Sequence, residues 1–222
     1  MASLGERISE RAVGAYTAGS ISANARARRW QQFADTFPEI EQMTVLDVGG
    51  DARSWRLCSV RPAHVTLLNL FPQTVEEPWM TAIAGDACDL PDDLPQVDVV
   101  YSNSVIEHVG GHWRRERFAE GIRAAAPRYW VQTPYRYFPV EPHFLFPGLQ
   151  YLPMRARAEA ILRWPLGSGR HVADRADALE RVMSIELLSQ RELQAYFPDA
   201  EVRRERFGGI VKSLIAVRGA GA

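Results

Sequence analysis

Short, continuous apolar runs that each end in a turn or a polar residue restrict this chain to few architectures. Thr44 to Val48 (TVLDV) runs into Gly49-Gly50, and His64 to Phe71 (HVTLLNLF) into Pro72. Thr81 to Asp86 (TAIAGD), Val97 to Ser104 (VDVVYSNS) and Arg128 to Thr133 (RYWVQT) repeat the pattern. Helical periodicity separates them: Ala27, Trp30, Phe33, Ala34 and Phe37 line one face of Asn24 to Phe37, which Pro38 ends. Phe118, Ile122 and Ala125 do the same in His112 to Ala126. Continuous apolar strands alternating with helices imply a parallel sheet covered on both faces.

The second half departs from this rhythm. Pro134 to Pro165 is crowded with proline and aromatic residues, so its centre reads as a loop and Gly148 to Leu162 as partly helical. Gly167 to Ala178 reads as a polar loop or lid. Ser189, with Glu192 three residues on, marks a capping box and a helix start. Ala200 to Arg206 and Ser213 to Arg218 close the chain as strands. The expected organisation is an arm or lid over residues 1–23 and one domain over 24–222, with an acceptor-site insertion at about 134–180.

At 222 residues the chain has room for one well-buried domain. A formal net charge of −1 provides no field to gather nucleic acid or an anionic membrane. Lys212 is the sole lysine; every other basic residue is arginine, a bias a GC-rich genome explains. Cys58 and Cys88 are too few for a disulfide framework and have no metal spacing. No apolar run reaches the ~20 residues of a membrane span, and Met1 to Ser20 is no signal peptide. A cytoplasmic, reduced protein is expected, with a homodimer left open.

Ligands of an open α/β sheet sit beyond the carboxyl ends of the strands, where strand order reverses. The residues there are Asp47, Gly49 and Gly50, then Asn69 with Leu70, then Asp86 with Ala87, then Ser102 and Asn103. A turn glycine lets a ligand approach the backbone. Asn69 suits ribose hydroxyls, Asp86 suits an adenine amino group, and apolar neighbours can sandwich the ring. Together these make a nucleoside-binding set.

VLDVGGDARSW, followed by GDACDLP and DVVYSNSVIEHVG, resembles the core of class I S-adenosylmethionine-dependent methyltransferases over Val45 to Pro134. The resemblance implies a Rossmann-like α/β fold, a seven-stranded mostly parallel sheet with helices on both faces and its last strand antiparallel. It also implies S-adenosylmethionine as cofactor. Asp47 and Gly49 then shape the methionine and ribose end, Asn69 takes the place of the ribose acid, and Asp86 that of the adenine-facing acid. Ser102 and Asn103 line the floor under the sulfonium. Two departures stand out: Asp51 and Arg53 replace the later loop glycines, and Asn69 replaces a carboxylate.

TPYRYFPVEPHFLFP, Thr133 to Pro147, resembles the TPNRxFPxEPH segment of bacterial saccharide O-methyltransferases of the methylmannose-polysaccharide type. That resemblance implies a saccharide or glycolipid-precursor hydroxyl as acceptor. Prolines on either side stiffen Glu141-Pro142-His143. A neutral His143 suits removal of a hydroxyl proton, with Glu141 to orient it. His108, Tyr135 and Tyr137 are candidate acceptor contacts.

Plain structural roles compete with each of these. Asp47 can hold a turn, Glu107-His108 can brace a helix, His143 can be a satisfied structural histidine, and the aromatics can be core. Glu107, His108, Glu141, His143 and Asp174 together suit Mg²⁺ or Mn²⁺, although no compact spacing demands a metal. The expected function is an O-methyltransferase for a small-molecule or oligosaccharide acceptor. The alternatives are a methyltransferase for another small molecule, or a cofactor-binding protein without turnover. A nicotinamide dehydrogenase is disfavoured because no G-x-G-x-x-G follows the first strand.

Overall fold

A computed structural model describes residues 21–71, 73–164 and 172–219. Most of the expected arm, His171 and part of the expected polar loop lie outside them.

In chain order come helix α1 (Ile21–Thr36), strand β1 (Thr44–Val48), a short helix α2 (Ala52–Arg56), β2 (His64–Asn69), β3 (Met80–Ala84) and β4 (Val99–Asn103). Helix α3 (His112–Ala125) and strand β5 (Arg128–Pro134) follow. A small hairpin, β6 (Val140–Glu141) and β7 (Phe146–Pro147), leads to helices α4 (Met154–Arg163) and α5 (Arg175–Met183). Helix α6 (Gln190–Tyr196) precedes the closing strands β8 (Glu201–Phe207) and β9 (Ile210–Arg218).

Seven strands form one sheet in the order β3-β2-β1-β4-β5-β9-β8. Neighbours from β3 to β5 pair in parallel, and β9 runs antiparallel to both β5 and β8. The chain leaves β1 on one side for β2 and β3, then returns on the other for β4. The crevice between β1 and β4 is therefore the switch point where such sheets bind ligands.

The central strands β1, β2, β4 and β5 are buried on both faces, which is why their sequences are continuously apolar, whereas the edge strand β8 (EVRRERF) is largely exposed and polar. Val45, Val65, Leu67, Val99 and Trp130 pack under Trp30 and Phe33 of α1 and Phe37 just beyond it. Leu46, Leu68, Val100, Val131 and Leu214 pack against Phe118 and Ile122 of α3 and Leu193 of α6. A fully buried side chain such as Phe33 contributes about 1.5–3 kcal/mol by leaving water.

Two boundaries differ from the sequence expectation. Helix α1 begins at Ile21, so the expected arm runs into it. Part of the expected polar loop is the start of α5: Asp174 caps it by accepting from the amides of Ala176 and Asp177, and Ala178 and Val182 bury one turn apart. The insertion has a small core of its own, with Phe144, Leu149, Ala158 and Ile161 joining those two residues. That core anchors the segment bearing Glu141 and His143.

Candidate active site

A cavity of about 360 Å³ opens at the carboxyl ends of β1 and β4. Asp47, Gly49 and Gly50 form one wall, Tyr101 and Asn103 another. His108, Pro142 and His143 close it from the insertion side, and Arg26, Arg29 and Trp30 of α1 from the other.

The glycine turn has no room for side chains. Gly49 adopts φ +82°, and a Cβ there would lie 2.5 Å from a Val105 methyl carbon. A Cβ on Gly50 would lie 1.7 Å from Oδ2 of Asp47. Neighbouring amides brace the turn: Asn69 Nδ2 donates to the Gly50 carbonyl at 3.1 Å, and Gln73 Nε2 donates to the same oxygen at 2.8 Å. Asp51 caps α2 by accepting from the Ser54 amide.

Asp47 is 2% exposed. Oδ2 accepts from the Trp55 indole at 2.7 Å, while Oδ1 is buried without a hydrogen-bond partner among the described residues. Burial pushes its pKa up to about 7, against the pull of the Trp55 hydrogen bond and with the help of the Asp51 charge. A carboxylate left short of one donor in a cavity wall is suited to a cationic ligand.

Helix α1 contributes charge as well as packing. Arg29 donates from Nε to Glu205 at 3.1 Å and from a terminal nitrogen to Asn103 Oδ1 at 2.9 Å. Lys212, at the start of β9, lines the same cavity, and burial followed by the Arg29 charge lowers its pKa.

On the insertion side, Glu141 Oε1 lies 2.7 Å from His143 Nδ1, and Glu141 Oε2 accepts from the Phe144 amide at 2.8 Å. Burial lowers the His143 pKa, but the hydrogen bond to Glu141 and the charges of Glu141 and Glu107 outweigh it, so the net shift is upward. His108 shifts downward, chiefly through burial. Glu107 is buried, with Oε2 accepting from Thr133 at 2.9 Å. The His108 and His143 rings meet edge to face with centroids 4.9 Å apart.

The structure thus gathers Asp47, Gly49, Gly50, Asn103, His108 and His143 around one cavity, with Glu141 behind His143. Other candidates sit elsewhere. Asn69 spends its amide on the glycine turn and its Oδ1 on the Phe71 amide. Leu70 is exposed beyond the end of β2. Asp86 lies past β3 and is paired with Arg114 at 2.8 Å, while Ala87 is buried in the core. Ser102 is fully buried and donates to the Val48 carbonyl, so it joins strands rather than lining the floor. Tyr135 and Tyr137 line a separate groove with Ser189 and Arg204. Asp174 is a helix cap.

Sequence reasoning missed Arg26, Arg29, Gln73, Gln132 and Ser104. Ser104 holds φ +58° at the end of β4 and hydrogen-bonds the Gln132 side chain at 2.9 Å. The place of Arg26 and Arg29 one turn apart beside Trp30 was the available signal for α1. For Lys212 it was being the sole lysine.

No family model and no curated protein matches the sequence. Solved structures share its fold. The N-terminal domain of EvdMO1, solved in the presence of SAH and D-fucose, is 16% identical with a TM-score of 0.51, over 89% of this chain and 83% of that one. DhpI, solved as a SAM-HEP complex, is 16% identical with a TM-score of 0.52, over 98% and 99%. Magnesium protoporphyrin IX methyltransferase from Synechocystis PCC 6803, with bound SAH, is 12% identical with a TM-score of 0.51, over 88% and 84%. The fold is therefore the Rossmann-like one of class I methyltransferases. Likeness at this identity defines an architecture; the reaction has to be argued from the site.

Proposed function

We propose that the chain is an S-adenosylmethionine-dependent methyltransferase that acts on a hydroxyl of a saccharide or glycolipid precursor. The observation that carries the cofactor reading is Asp47 Oδ1, a buried acceptor without a partner among the described residues, beside a glycine turn with no room for side chains, at the switch point of the sheet. The cavity volume is within the range of small-molecule sites. Asp47 would hold the amino-acid ammonium, and the Gly49-Gly50 backbone the adjoining chain. The cofactor supplies an electrophilic methyl group on a sulfonium.

Methyl transfer forms an oxygen–carbon bond as the carbon–sulfur bond breaks in line, so alignment supplies much of the rate. Hydroxyl activation is assigned to His143. Glu141 engages Nδ1, and Nε2 is the nitrogen assigned to the acceptor in the metal-free protein. The saccharide class draws on the TPYRYFPVEPH segment and on the D-fucose present with EvdMO1. A panel of free and lipid-linked sugars, incubated with isotopically labelled cofactor, tests this reading. Label entering a sugar hydroxyl supports it, while label entering only a phenol or carboxylate panel overturns the saccharide class.

A second reading, a protein that binds cofactor without turnover, draws on the Asp86–Arg114 pair, which ties up the adenine-facing acid. It predicts binding with no acceptor labelled.

A further inference from the structure

We propose that Glu107, His108 and His143 form a binding site for a divalent transition-metal ion. This inference rests on the methyltransferase reading only for its purpose, which is to hold the acceptor oxygen beside the methyl donor. The binding itself stands on the geometry.

Glu107 Oε1 has no hydrogen-bond partner among the described residues, and its side chain is 0% exposed. A buried carboxylate oxygen in that condition requires an explanation. It lies 4.0 Å from Nε2 of His108 and 4.0 Å from Nε2 of His143. Those separations are too long for hydrogen bonds, yet one ligand atom from each of the three residues falls within 4.8 Å of the others. A cation among them replaces the missing partner of Glu107 and gives two imidazoles a common purpose.

The surroundings resemble the supports that metal ligands receive. Glu141 engages Nδ1 of His143, which fixes the ring and makes Nε2 the coordinating nitrogen. Thr133 holds the other oxygen of Glu107. Two imidazoles and one carboxylate with further positions open match sites for zinc or iron(II). Mg²⁺ prefers an oxygen shell, so the donor set points away from it. Glu141 is a support here and Asp174 lies outside the set, which narrows the five residues singled out in the sequence to three.

A proton and a metal compete for Nε2 of His143. The residue receives the hydroxyl proton in the metal-free protein and is a ligand in the loaded one.

The test uses untagged full-length protein, stripped with chelator and titrated with Zn²⁺, Co²⁺ and Mg²⁺ in the absence of cofactor. One Zn²⁺ or Co²⁺ binds per chain, with Co²⁺ gaining visible absorption. Glu107→Gln and His108→Ala weaken Zn²⁺ binding by about tenfold or more, and Glu141→Gln by about 10–100-fold. His112→Ala, at an exposed histidine bonded to Tyr196, leaves it unchanged. Circular dichroism checks each variant for folding; Glu107→Gln keeps the shape of the buried side chain. Absence of saturable binding, or equal binding in Glu107→Gln and His108→Ala, overturns the site. A separate S-adenosylmethionine titration of the wild-type protein distinguishes the failures. Cofactor binding without metal binding sinks this site alone, and metal binding without cofactor binding sinks the methyltransferase reading.

Discussion

The Trp55 indole donates to Oδ2 of Asp47 at 2.7 Å, while Oδ1 of the same carboxylate, at the wall of the cavity, has no partner among the described residues. One residue is thus half satisfied by the fold and half available to a ligand, an arrangement that links stability to function.

The folded-state pKa of Asp47, about 7, lies above its ordinary value of 3.8 because burial disfavours the charged form. Its contribution to stability is therefore fully present below about pH 4 and is lost as pH rises through about 7. Asp47→Asn removes this loss while keeping an acceptor for Trp55. Thermal melts of ligand-free protein should show the variant more stable than wild type at pH 8, with the gap closing toward pH 5. A gap that does not change with pH contradicts the assignment.

Gly49→Ala and Gly50→Ala fail for different reasons. The first forces a side chain into φ +82° and onto Val105; the second drives a Cβ into the Asp47 carboxylate. Gly49→Ala should cost about 1–3 kcal/mol from backbone strain alone, and adding Val105→Ala should recover only part of the loss. Gly50→Ala should abolish cofactor binding, and Asp47→Asn should not rescue it. Denaturant melts and calorimetry measure the two effects.

Arg29 and Glu205 form a nearly dry pair, with side chains 12% and 11% exposed. Removing the cation leaves the nearly covered Glu205 carboxylate without its hydrogen-bonded ion-pair partner. Arg29→Ala should therefore destabilise by about 3 kcal/mol, while Arg29→Met combined with Glu205→Leu should lose much less. A double-mutant cycle in urea measures the difference.

The central strands β1, β2, β4 and β5 were legible because each is buried on both faces, so its apolar character needs no knowledge of its neighbours. The Ser189–Glu192 capping box was legible for a similar reason: its chemistry is local. Arg29 was not, since its partners Glu205 and Asn103 stand 176 and 74 positions away. Asn69 and Asp86 were recognised by their places at strand ends, yet local hydrogen bonds to the glycine turn and to Arg114 occupy them. His143 and Glu141 were legible as a stiffened pair. Their approach to Glu107 depends on how the insertion folds back over β4, which no spacing encodes.

His143→Ala should keep cofactor affinity and reduce turnover by about 10²–10⁴-fold. Single-turnover kinetics with saturating cofactor separates this from a binding defect. A wild-type rate in the variant removes His143 from hydroxyl activation.

The most direct test of the central claim is calorimetric titration of the purified protein with S-adenosylmethionine and S-adenosylhomocysteine, with NAD as the control. The account predicts roughly micromolar binding of both sulfur nucleosides, no binding of NAD, and loss of affinity in Asp47→Ala. Failure of both sulfur nucleosides to bind, with Zn²⁺ and candidate acceptors also supplied, would contradict it, as would undiminished affinity in the variant.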